Sequence, residues 1–200
     1  IEAQARRLVP YLADAVPGWF QAALALYDVW GDEVAYNDDY RFDPDPVLFY
    51  KVPEDGEYNL EIRDALYRGR EDFVYRIVAA EQPFITRAFP LGGPEGVETV
   101  ALLGGWNLSK TRLPLDTHAG AGAIRQTALR QDQQLSNRVW YAVDTQPECI
   151  EAEPNDTVKQ AQKVSLPQIV NGRIAQAGDA DVFRIEGHSG EEVVAEVTAR

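Results

Sequence analysis

The chain has 200 residues, 45% of them hydrophobic and 26% charged, and a formal net charge of −13. That length suits one large domain or two to three small ones, and no uncharged apolar run reaches the ~18–20 residues of a membrane helix. The acid excess argues against nucleic acid, which needs clustered Lys and Arg. The single cysteine, Cys149, allows no internal disulfide and no cysteine zinc site.

The sequence opens at Ile1 and contains no methionine, so it reads as an internal piece or a processed product. In chain order, Ala3–Val16 is the one stretch with helical character; Pro10 and Pro17 bracket it and allow at most a short helix or turn. After it, period-2 alternation dominates. Strand candidates are Phe20–Tyr27, Glu33–Tyr36, Val47–Val52, Glu57–Arg63, Phe73–Val78, Glu98–Leu103, Val139–Val143, Ile169–Ile174, Val182–Glu186 and Val193–Arg200. Turn signals divide them: Trp30-Gly31-Asp32, Glu54-Asp55-Gly56, Gly92-Gly93-Pro94, Asn171-Gly172 and Gly187-His188-Ser189-Gly190. Many short strands with frequent turns predict an all-β chain of sandwiches rather than an α/β fold.

Charge divides the chain into three. Asp28 to Asp72 holds 14 acidic and 5 basic residues, Pro83 to Gln146 holds 5 and 6, and Ile150 to Arg200 holds 9 and 5. The middle differs in kind from its flanks. Ile85, Val100, Leu102, Trp106 and Val143 are its expected core. The run Ala195-Glu-Val-Thr-Ala-Arg200 also matches Ile1-Glu-Ala-Gln-Ala-Arg6, as in a window cut from a tandem array.

Glu151-Ala-Glu153-Pro154-Asn155-Asp156-Thr157 crowds three carboxylates and an amide around a proline. Gly178-Asp179-Ala180-Asp181 adds two carboxylates just before the strand candidate at Val182. Oxygen-rich sets suit hard cations, and Ca²⁺ takes 6–8 oxygen ligands in flexible geometry. The same residues also fit a polar linker and an Asp-rich turn. A second acidic stretch, Asn37 to Asp45, lacks the glycine and closing glutamate of an EF-hand loop and reads as a solvated loop.

Signals for catalysis are poor. Two histidines, His118 and His188, sit in Gly-rich loops, and none of the four serines occupies a Gly-x-Ser-x-Gly elbow. The expectation is a protein that is not an enzyme.

Glu153-Pro-Asn-Asp-Thr157, Asn171-Gly-Arg-Ile174, Gly178-Asp-Ala-Asp-Val-Phe183 and Val193-Val-Ala-Glu-Val-Thr-Ala-Arg200 resemble the first half of a bacterial pre-peptidase C-terminal (PPC) domain. Leu26-Tyr-Asp28, Ala35-Tyr-Asn-Asp-Asp39, Asp45-Pro-Val-Leu48, Gly56-Glu-Tyr58 and Tyr75-Arg-Ile77 resemble its second half. Pro83-Phe-Ile85, Pro90, Gly96, Val100 and Gly105-Trp-Asn-Leu108 look like an IPT/TIG immunoglobulin-like domain. The combination resembles secreted multidomain proteins of planctomycete-type bacteria.

The resemblance implies jelly-roll-like PPC half-sandwiches at 1–82 and 147–200, flanking an Ig-like sandwich at 83–146. Relatives in clostridial collagenases bind Ca²⁺ through the acidic segment and the Gly-Asp-x-Asp turn. By that pattern Glu151, Glu153, Asn155, Asp156, Asp179 and Asp181 are the expected metal ligands here. The implied function is a non-catalytic, calcium-stabilised array at the cell surface or outside the cell, serving adhesion, spacing or binding. Its expected partners are neighbouring domains and extracellular protein or polysaccharide. The alternative is a substrate-targeting module of a secreted peptidase or other hydrolase.

Overall fold

The short alternating runs and frequent turns give an all-β structure. A computed structural model describes residues 1–7 and 20–198, and no helix occurs among them. Most of the expected Ala3–Val16 turn or helix lies outside the described residues. Its described start, Ala3–Gln4, lies in a strand, and Arg6–Arg7 form a turn. Contacts divide the chain into two units, Ile1–Glu81 and Gln82–Arg200.

The first unit holds β1 (Glu2–Gln4), β2 (Ala22–Tyr27), β3 (Glu33–Asn37), β4 (Asn59–Asp64) and β5 (Arg76–Val78). Strands β3, β2 and β4 form one antiparallel sheet with β2 at its centre, and β1 pairs with β5. The β2–β3 turn is built by Asp28, whose carboxylate accepts the Trp30 and Asp32 amides, and by Gly31 at φ +87°.

Alternation along β2 sends Ala22, Leu24 and Leu26 into a core with Ala3, Ala5, Phe20 and Leu48. Ala23 and Ala25 take the opposite face. They too are buried, beneath their cross-strand neighbours Arg63 and Tyr36. The Arg63 guanidinium lies 5.8 Å from the Tyr36 ring centroid and 4.5 Å from that of Tyr67. Cation–π contacts thus lie on the face of β2 that carries Ala23 and Ala25.

The acidic stretch 37–45 is a partly exposed loop, as expected, but its end at Asp45 is a buried clasp. Asp45 is buried, and its carboxylate accepts the backbone amides of Ala5, Arg6 and Arg7 at 2.8–3.1 Å. Those amides follow β1 and have no ladder partner of their own, so an acceptor is required. Val47–Val52, expected as a strand, serves the same junction: Leu48 donates to the Ile1 carbonyl and Ala3 to the Pro46 carbonyl.

The second unit begins with β6 (Phe84–Phe89), β7 (Gly92–Pro94), β8 (Thr99–Trp106), β9 (Arg112–Leu115), β10 (Ile124–Thr127), β11 (Arg130–Gln131), β12 (Gln134–Leu135) and β13 (Val139–Asp144). Sheet β6-β8-β9 is antiparallel. In sheet β10-β13-β7, β7 runs parallel to β13. Ile85, Ala101, Leu103, Leu113, Leu115, Leu129, Tyr141 and Val143 form its core, so this part of the chain is sandwich-like.

Two expectations for this region change. Gly92-Gly93 forms a strand instead of a turn, because a Cβ at Gly92 would lie 2.3 Å from the Ala142 carbonyl oxygen and only glycine permits that approach. The inward face of β8 is Ala101 and Leu103. Leu102 is exposed and Val100 and Trp106 are not part of the core, since alternation fixes two sets of residues but not which set turns inward.

Beyond 146 lie β14 (Glu148–Ile150), β15 (Gln162–Lys163), β16 (Ile169–Asn171) and β17 (Phe183–Arg184), in the parallel pairs β14–β16 and β15–β17. The expected Val193–Arg200 strand is not formed in its described part, 193–198, where Val194 and Val197 are exposed. Alternation and β-branching favour extended backbone, but a strand also needs a ladder partner.

Asp64 anchors the end of β4. Its buried carboxylate accepts the amides of Gln21, Leu66 and Arg68 and two bonds from the Arg68 guanidinium. The Arg68 side chain, aided by the backbone amides, holds the carboxyl well below the usual carboxylate range despite burial. The folded-state value lies below the unfolded one. The stabilisation is therefore present above the unfolded value, near pH 4, and is lost as pH falls toward the folded one. Asp64→Asn should cost about 2 kcal/mol at pH 7. The gap from wild type, read by urea unfolding, should narrow between pH 7 and pH 3. A gap independent of pH would contradict the assignment.

Candidate metal centre

Backbone bonding at the parallel pairs gathers acids that are far apart in sequence. The end of β14 delivers Glu151, whose amide donates to the Asn171 carbonyl at 3.0 Å. The start of β17 delivers Asp181. Next to it, the Val182 amide donates to the Asn155 carbonyl at 3.0 Å, and the Gln162 amide donates to the Val182 carbonyl. Glu153 turns back on its own loop and accepts the Asn155 amide at 2.9 Å. Asp179 accepts the Ala175 amide.

The result is two overlapping trios. Glu151, Glu153 and Asp181 form one, and Glu153, Asp156 and Asp179 form the other; within each, one oxygen per residue lies within 4.8 Å of the others. Asn155 is fully buried, and its backbone is tied both to Glu153 and to the residue after Asp181. All six residues singled out by sequence therefore fall in this one region. Glu151, Asp179 and Asp181 are half-buried, while Glu153 and Asp156 face solvent.

Several of these polar atoms have no hydrogen-bond partner. Glu151 Oε2, Asp181 Oδ1 and both Asn155 amide atoms, Oδ1 and Nδ2, are buried in that state. Each such group forfeits roughly 1–3 kcal/mol of solvation. Burial pushes the Glu151 carboxyl above its ordinary value. The Arg173 amide works against that shift, and the neighbouring Asp181 carboxylate adds to it. Two carboxylates held together in partial burial need either a shared proton or a positive charge.

Sequence reading missed two contributors. Arg173 donates its amide to Glu151 Oε1 at 2.7 Å. Gly172 sits so close that an added Cβ would meet Glu151 Oε2 at 2.5 Å and Asp181 Oδ2 at 3.3 Å. Asn171-Gly172 reads as a turn in the sequence. Here Asn171 ends β16 and Gly172 leaves room for the carboxylates.

Other titratable groups are arranged differently. His118 is exposed and bonded to the exposed Asp116 through Nδ1 at 2.7 Å, and His188 is exposed beside Glu191. Cys149 is half-buried, and burial pushes its thiol up, away from the reactive thiolate.

Comparison of the chain with protein-family models, curated proteins and solved structures gives no match.

Gly172→Ala should force the pinned Glu151 carboxylate aside. The expected cost is about 1–2 kcal/mol, seen as a melting temperature several degrees lower. An unchanged melting temperature would show that Glu151 moves freely.

Proposed function

We propose that the chain is a non-catalytic extracellular β-sandwich array stabilised by Ca²⁺, serving adhesion, spacing or binding. The observation that carries the metal reading is the buried oxygen set: Glu151 Oε2, Asp181 Oδ1 and Asn155 Oδ1 lack partners beside two overlapping carboxylate trios. An acidic cluster on an open surface needs no ion. A buried Asn155 Oδ1 without a donor, in the same segment as two crowded carboxylates, is costly unless something positive satisfies it.

The donor chemistry favours a hard cation. Carboxylates and one amide oxygen are offered, with no imidazole and no thiolate in either trio, which suits Ca²⁺ better than Zn²⁺. Mg²⁺ demands a small, near-octahedral shell and keeps its waters. Ca²⁺ accepts 6–8 oxygens in irregular geometry, as two trios sharing Glu153 would supply. Glu151, Asp181 and Asn155 would hold the ion from the buried side, and Glu153, Asp156 and Asp179 from the solvent side. The resemblance to PPC domains points the same way and also suggests a secreted setting, where Ca²⁺ is abundant.

Calorimetric titration of Ca²⁺ into the chelator-treated chain should give saturable binding. At a hundredfold excess over Kd the folded state should gain about 2.7 kcal/mol. No heat together with an unshifted melting temperature would reject the reading. Asp181→Asn supplies a sharper contrast. It removes one charge from the crowded pair, so the chelated variant should melt at or above wild type. It should also lose the Ca²⁺-induced shift. A variant that melts lower in chelator yet keeps the full shift would contradict the role given to Asp181.

A further inference from the structure

Residues 171–173 touch two parts of the second unit at once. On one side they frame the carboxylates: the Asn171 carbonyl accepts the Glu151 amide, Gly172 abuts Glu151 and Asp181, and the Arg173 amide donates to Glu151 Oε1. On the other they reach the preceding sandwich. Asn171 Oδ1 accepts the Leu91 amide at 3.0 Å, and the Arg173 guanidinium lies 4.2 Å from the centroid of the Phe89 ring.

Neither end of this bridge is loose. Asn171 is buried, and its Nδ2 donates to Glu148 Oε2 at 2.8 Å, so the amide is oriented from both sides. The Leu91 carbonyl accepts the Ala142 amide, which ties it to β13 in sheet β10-β13-β7. Phe89 ends β6, in the facing sheet. Three consecutive residues therefore connect the carboxylate pair to both sheets of the 82–146 part.

We infer that a cation held between Glu151 and Asp181 acts as a clamp on the junction between 82–146 and 147–198, stiffening it when bound and releasing it when removed. The inference rests on the cation reading above. Without a positive charge, the two carboxylates repel across Gly172. Glu151 then moves, the Arg173 amide loses its acceptor, and the bonds to Leu91 and Phe89 weaken with the shift of 171–173. With the cation bound, the same residues are fixed and the junction is fixed through them. Coupling of this kind is reciprocal: contacts to Phe89 and Leu91 must feed back on cation affinity.

Hydrogen exchange on the full chain tests this, in millimolar Ca²⁺ and in chelator, with calorimetry on the same samples. The probe is the backbone amide of Leu91, and the control is β2, which belongs to the first unit. In wild type, Ca²⁺ should slow exchange at Leu91 by about tenfold and leave β2 unchanged. Asn171→Ala and Arg173→Ala should each bind Ca²⁺ at least about fivefold more weakly and lose the protection at Leu91. Arg173 is exposed and keeps its backbone amide in the variant, so it carries the test if Asn171→Ala fails to fold. Ca²⁺ binding to wild type without any change at Leu91 would overturn the clamp alone. Absence of binding would overturn the clamp and the cation reading together.

Discussion

Backbone amides that fall outside any ladder must find acceptors, and in this protein acidic side chains supply them. Strands of two to eight residues leave many such amides at their ends. Asp45 collects three amides after β1, Asp64 collects three after β4 and before β2, and Asp28 collects two in the β2–β3 turn. Part of the net charge of −13 is therefore structural. It ties off irregular connections that sheets this small cannot.

That frame separates two kinds of acid. Asp64 is saturated by amides and by Arg68, so its charge is stabilised within the fold. Glu151 receives one amide on Oε1, keeps Oε2 without a partner, and faces a second carboxylate. The first kind is a finished hydrogen-bond site. The second has oxygen left over, in the same segment as a fully buried Asn155 whose side-chain amide lacks partners too. The chemical distinction between a structural carboxylate and a candidate metal ligand is this surplus of acceptors, not acidity or burial alone.

Much of the all-β class was legible in the sequence, because 59–64 alternates with period 2 and 22–27, 99–106 and 139–144 are strand-length apolar runs between turns. Local pattern was silent about Gly92–Pro94, whose place in a sheet depends on how closely Ala142 approaches. It was also silent about the phase of β8, which depends on the facing sheet. The run at 193–198 shows the opposite error, strong alternation without a ladder. The six acidic-segment residues stood out by composition and order. Gly172 and Arg173 did not, since a glycine that makes room and a backbone amide that donates leave no mark in residue type. Nor did the sequence separate Asp45, a clasp, from the acids around it.

The central claim is that the oxygens of Glu151, Asp181 and Asn155 converge on a cation. A crystal structure of the chain grown with Ca²⁺, with anomalous data, tests it most directly. The account predicts an anomalous peak with Glu151, Asp181 and Asn155 oxygens at about 2.3–2.6 Å, completed from Glu153, Asp156 or Asp179. A structure from Ca²⁺-saturated crystals in which Glu151 and Asp181 instead share a proton, with no peak between them, would contradict it.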